Sequence, residues 1–152
     1  MTAVALPVSV PTGADHMIVT AELPLLSPTQ AFAACTTPEL ITQWWPQEAE
    51  IEPKLGGHYR LRWPSMNWEL FGQFTEFEPG ERLGYTWNWA HQPDLSTRIV
   101  TIDFEPLATG SKVIVQHGIY GDSAVEQEDR QGHIDGWVYF LGRLQELNPA
   151  LT

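Results

Sequence analysis

The spacing of hydrophobic residues changes period twice along this chain. From Asp15 to Leu26 it alternates, with Met17, Val19, Ala21 and Leu23 on one side, the period of a half-buried strand that ends near Pro24. Ser27-Pro28 and Thr37-Pro38 then read as two helix starts, each a capping hydroxyl followed by proline at the first helical position. They predict short helices over 27–36 and 37–45. The first buries Ala31, Phe32, Ala34 and Cys35; the second buries Leu40, Ile41 and Trp44 before Pro46 stops it. From 49 to 120 alternation returns. EIEPKL and HYRLRW flank the Gly56-Gly57 turn, and further strands follow over 68–78, 83–89, 99–104 and 112–117. A helical period closes the chain over 124–147, where Ile134, Trp137, Leu141, Leu144 and Leu147 form a stripe and Pro149 ends it.

The predicted order is one strand, two helices, six strands and one helix. That is an α+β domain: a seven-stranded antiparallel sheet with the long terminal helix laid across one face. A strongly curved sheet gripping that helix leaves a hollow between them. Residues 1–14 are small, apolar and punctuated by proline, and read as a flexible lead-in or an edge covering; residues 15–148 make a single domain. Gly132 and Gly136 lie four apart on the terminal helix. Glycine inside a helix costs about 1 kcal/mol relative to alanine, so the pair implies close backbone approach or deliberate space.

Charge narrows the partners. Nineteen acidic residues against 8 basic ones give a formal net charge of −11. Nucleic acid and anionic membrane surfaces both require a basic footprint, so neither is expected. No apolar run approaches the ~20 residues of a membrane span, and the N-terminus lacks the basic start of a signal peptide. Cys35 is the lone cysteine, which rules out an intrachain disulfide and suits a cytoplasmic location. A homodimer is left open.

Aromatic content changes the picture most. There are 7 Trp, 6 Phe and 4 Tyr in 152 residues. Strand parity puts Tyr85, Trp87 and Trp89 on one face, and Tyr59 and Trp63 on one face of a neighbouring strand; Trp137 lies on the helix stripe that must meet them. These side chains either fill the core or wall a pocket for an apolar ligand. His117 shares parity with Val113 and Val115, so it faces the concave side, where it could anchor a polar group or exchange a proton. The strand 68–78 is ambiguous: Glu69 faces the interior only if Phe71 does. The expected ligand-binding set is Tyr59, Trp63, Tyr85, Trp87, His117, Tyr120 and Trp137. The catalytic candidates are His117, Tyr85 and Glu69. No histidine pair has metal-ligand spacing, and no phosphate-binding glycine loop or nucleophile elbow occurs, so neither metal nor cofactor is expected.

Six segments in order resemble a known family: FAACTTPELITQWWP (32–46), KLGGHYRLRW (54–63), FGQFTEFEPGERLGYTW (71–87), VTIDFEP (100–106), GSKVIVQHGIY (110–120) and DGWVYFLGRL (135–144). The chain resembles the START-like superfamily, which includes the birch-pollen allergen type and polyketide cyclases. Within it, the chain is most similar to the branch named for activators of the ATPase of the 90-kDa heat-shock protein. The resemblance covers about residues 15–147 and implies the helix-grip fold, with a central cavity that in most members takes small apolar ligands. The activators proper carry a second, N-terminal domain for which this chain has no room, which speaks against a co-chaperone role.

The favoured function is therefore binding of a small apolar or aromatic molecule between sheet and helix. An enzyme of cyclase, dehydratase or hydrolase type, and a chaperone-associated interaction module, are the alternatives. The absence of a catalytic constellation weighs against the enzyme.

Overall fold

A computed structural model describes residues 4–95 and 97–148. The first three residues of the lead-in, Ser96 and Pro149 fall outside it. Its strands are β1 (Val8–Val10), β2 (His16–Leu23), β3 (Glu48–Ile51), β4 (His58–Trp63), β5 (Trp68–Glu78), β6 (Arg82–Trp89), β7 (Arg98–Pro106) and β8 (Ser111–Gly118). Its helices are α1 (Pro28–Thr36), α2 (Pro38–Ile41) and α3 (Ala124–Leu144). One antiparallel sheet runs in the order β1-β2-β8-β7-β6-β5-β4-β3, curved around α3 in the manner of a helix-grip fold.

The sheet has eight strands rather than seven. The extra one comes from the stretch read as a lead-in: Val8, Ser9 and Val10 pair with Thr20, Val19 and Ile18 and cover the edge of β2. Three residues are too few to show a period, so the alternation test passes over them.

The helix starts are where the Ser-Pro and Thr-Pro pairs put them. At Ser27 the capping box closes in both directions: Gln30 N–H donates to Ser27 Oγ (3.1 Å), and Ser27 N–H donates to Gln30 Oε1 (2.9 Å). The second helix is shorter than its predicted span of 37–45 and ends at Ile41. Past that point the chain turns so that Trp44 and Trp45 both swing inward, and Trp44 Nε1–H donates to Ala34 O at 2.9 Å. The terminal helix likewise stops at Leu144, short of 147. There the Gln145 side chain donates to Ala5 O (2.7 Å) and Glu22 O (3.0 Å), tying the helix end to the β1–β2 edge, while Leu147 stays buried. The first strand after the helices ends at Ile51 because Pro53 has no N–H to continue the ladder.

β5 resolves its own ambiguity with a bulge. Its register shifts between Phe74 and Glu76. Before the shift Leu70 and Phe74 face inward and Phe71 outward; after it, Phe77 rejoins the interior, 5.1 Å from Phe32 and 5.4 Å from Phe74 by ring centroid. A strand that changes parity midway defeats a single-parity reading.

Candidate functional site

The glycines of α3 mark the site. An ideal Cβ added at Gly132 or Gly136 meets nothing within 4 Å, so both leave open space beside the helix. That space is a hollow of about 520 Å³ between α3 and the β4–β6 end of the sheet. Trp45, Trp63, Trp87, Trp89, Trp137 and Phe140 form most of its wall. Half-exposed Trp68 and Met66, with Val125 and Glu128 of α3, stand at its solvent side. The rings touch in a continuous chain. Trp45 lies 5.9 Å from Trp63, 5.8 Å from Trp87 and 5.2 Å from Trp137; Trp89 lies 5.5 Å from Trp63 and 5.4 Å from Trp87.

Polar groups gather at one end. His117 is fully buried on β8 with its ring stacked 4.5 Å from that of His133 on α3. Indole N–H groups can only donate, and this fixes both histidine tautomers. Trp137 Nε1–H donates to His117 Nδ1 (3.1 Å), which leaves the His117 proton on Nε2, a buried atom without a partner among the described residues. Trp89 Nε1–H donates to His133 Nε2 (3.2 Å), so His133 Nδ1–H donates to the Tyr120 hydroxyl oxygen at 2.7 Å. Burial holds both imidazoles neutral. It pushes His133 down to about 4 despite Asp129 nearby, and it pushes His117 well below the usual range, helped by His133 and Arg98.

Behind this pair lies an ion triad built on a buried guanidinium. Arg98 is 2% exposed; it reaches Glu126 at 2.9 Å and Asp129 at 2.8 Å, and its guanidinium carbon sits 4.5 Å from the centre of the Tyr120 ring. Burial raises the Tyr120 phenol above its ordinary value. Two carboxylates on one guanidinium leave the triad with one net negative charge. Trp87 Nε1, also buried, has no partner among the described residues.

The expected ligand-binding residues therefore divide. Trp63, Trp87 and Trp137 line the hollow, while His117 and Tyr120 stand behind its wall. Tyr59 and Tyr85 sit farther along the interior, 5.2 Å apart by ring centroid, against a space of only about 20 Å³ that Trp44, Trp45 and Phe74 help close. Burial lifts both phenols well above their usual range. The three catalytic candidates are not brought together. Glu69 stands on the outer face of the sheet, paired with Arg62 at 3.1 Å and Arg60 at 3.3 Å; Tyr85 packs on Tyr59 and Phe74; His117 belongs to the polar end. Parity alone did not single out Trp45, His133, Arg98 or Asp129. For His133 a signal exists: it lies four residues before Trp137 on the same helix stripe.

Among the described residues, no group of three or more His, Cys, Asp or Glu side chains is placed to hold a metal ion, and no helix is long and apolar enough to cross a membrane.

Comparison with known proteins places this architecture. Residues 26–148 match the family described as activator of Hsp90 ATPase homolog 1-like protein. Among solved structures, a protein from Rhodobacter sphaeroides superposes with a TM-score of 0.77 at 20% identity, covering 96% of this chain and 99% of that one. A protein from Mesorhizobium loti gives 0.75 at 24% identity, covering 86% and 94%. A protein of the dynemicin biosynthetic locus gives 0.70 at 19% identity, covering 90% of this chain and 47% of that one. At such identities the likeness is one of fold. No curated protein matches.

Proposed function

Since the chain belongs to the activator of Hsp90 ATPase homolog 1-like family, within the START-like superfamily, we propose that it binds a small aromatic or apolar molecule in the hollow between α3 and the sheet. The observation that carries this reading is the pair Gly132 and Gly136. Helix-destabilising residues stand where side chains would otherwise fill an aromatic-walled space of about 520 Å³. That volume lies within the roughly 300–1,000 Å³ of ordinary small-molecule sites. Trp63, Trp87 and Trp137 act as walls. His117, His133 and Tyr120 hold those walls in place, and Trp137 and Trp89 are each pinned by an imidazole. A cytoplasmic location fits the lone Cys35, whose buried thiol is pushed up to about 12. A partner other than nucleic acid fits the −11 charge.

The test is calorimetric titration with 2-naphthol on the wild-type chain and on Gly136→Leu. The wild type should bind one equivalent saturably. Gly136→Leu should melt no lower than wild type and bind at least tenfold more weakly. A wild type that takes up no 2-naphthol, or a Gly136→Leu chain that binds it equally well, overturns the reading.

A further inference from the structure

The hollow's charge, as distinct from its shape, selects among aromatic ligands. Its wall carries two carboxylates, Glu128 and Asp129, and neither lysine nor arginine. The wall also carries two imidazoles, His91 and His133, the second held neutral by burial. The nearest guanidinium, Arg98, lies behind Asp129 and is already shared between Asp129 and Glu126, so it does not reverse the sign. Glu128 adds a second negative charge at the solvent side. The chain as a whole carries −11, which draws cations towards a cleft of this sign and repels anions.

The aromatic wall has the matching chemistry. Neighbouring indoles stand at steep angles: 88° for Trp87 and Trp89, 66° for Trp45 and Trp63, and 61° for Trp68 and Trp89. Trp45 and Trp87 stack at 26°, and the steeper pairs around them close the other sides into a partial box. Indole is the best of the side-chain rings for attracting a cation, and boxes of such rings are the common way proteins hold quaternary ammonium groups. A neutral aromatic molecule would gain the same apolar burial, but nothing from the carboxylates.

We propose that the ligand of this hollow is an organic cation, an amine or quaternary ammonium attached to an apolar or aromatic body, with the charged head near Glu128 and the indole box. This rests on the ligand-binding reading above and narrows it. Trp87 Nε1–H, in the same wall and without a partner among the described residues, is the donor that the oxygen of a neutral or anionic ligand would take instead.

Three probes of nearly one size separate these outcomes: 2-naphthylmethylammonium, 2-naphthylmethanol and 2-naphthoate, each titrated calorimetrically at low and high salt. The cation should bind at least tenfold tighter than the alcohol, and the naphthoate should bind most weakly. The cation's advantage should shrink at high salt and fall about threefold in Glu128→Gln, an exposed position where the fold is not at stake. If the alcohol equals the cation, or the naphthoate binds tightest, the cationic assignment is wrong while the binding site stands. If none of the three binds, both fall together.

Discussion

Trp137 and His117 join the helix to the sheet through one buried hydrogen bond, from Nε1–H to Nδ1 at 3.1 Å. The bond ties α3 to β8 and sets the His117 tautomer. Trp137 also packs against Trp45 and Trp87, so it holds the wall of the hollow together. Trp137→Ala should cost about 3–5 kcal/mol in chemical denaturation, the usual loss for a large buried aromatic. Trp137→Phe keeps most of the packing and leaves His117 Nδ1 unsatisfied, so about 1–3 kcal/mol should go. A Trp137→Ala chain as stable as wild type would mean that α3 does not depend on this contact.

Acid should weaken the fold through its two stacked imidazoles. In the unfolded chain both would titrate near 6.5; in the folded chain His133 is pushed down to about 4 and His117 well below 6.5. Between those values the unfolded state binds protons that the folded state refuses. Stability is therefore full above about pH 6.5, falls as pH drops through the window, and levels off below about 4 for His133. At about 1.4 kcal/mol per pKa unit, the His133 share is on the order of 3 kcal/mol. Thermal melts from pH 7.5 to 5 should show the decline, and His133→Gln should flatten it. Equal slopes in both chains would show that the acid response lies elsewhere.

Two glycines should respond to alanine in opposite directions. At Gly72 an added Cβ would stand 2.2 Å from the carbonyl oxygen of Thr86, the same oxygen that accepts the Tyr59 hydroxyl across the sheet. Gly72→Ala should destabilise by about 1–3 kcal/mol as the strands are forced apart. At Gly132 the added Cβ meets nothing, so Gly132→Ala gains helix propensity and should stabilise by about 1 kcal/mol, raising Tm by ~2–4 °C. Melts of the two variants beside wild type check both signs.

Arg98 compensates two carboxylates, so its loss should cost more than the loss of either partner. Arg98→Met leaves Asp129, 13% exposed, without its counter-charge and should cost about 3–5 kcal/mol. Asp129→Asn, with Glu126 still in place, should cost less. Urea titrations of the two variants give the comparison; the reverse order would show that the carboxylates, not the guanidinium, organise the cluster.

The regular parts of this fold were legible because they obey one period at a time. Alternation located β2 and β4 to β8, and the Ser-Pro cap located α1 to within a residue. The inward row of Tyr85 and Trp87, and the meeting of His117 with Trp137, also followed from parity. What escaped lies where period fails. Trp45 follows the end of α2, where no helical repeat predicts its direction, yet it touches three of the hollow's indoles, Trp63, Trp87 and Trp137. Phe77 changes side at a bulge. Arg98 shares the parity of Val100 and Ile102 and so faces inward, but its charge invites an outward reading until Glu126 and Asp129 are seen across from it.

All seven tryptophans of the chain belong to one web of touching rings. Six line the hollow, and Trp44 joins them through Trp45, 5.6 Å away. At such separations excitation passes from indole to indole faster than it is emitted. The ultraviolet emission of this protein is therefore a property of the hollow as a whole rather than a sum of scattered reporters. A quencher or energy acceptor lodged against any one wall would darken all seven together, so the chain carries a built-in optical sensor for molecules of that kind.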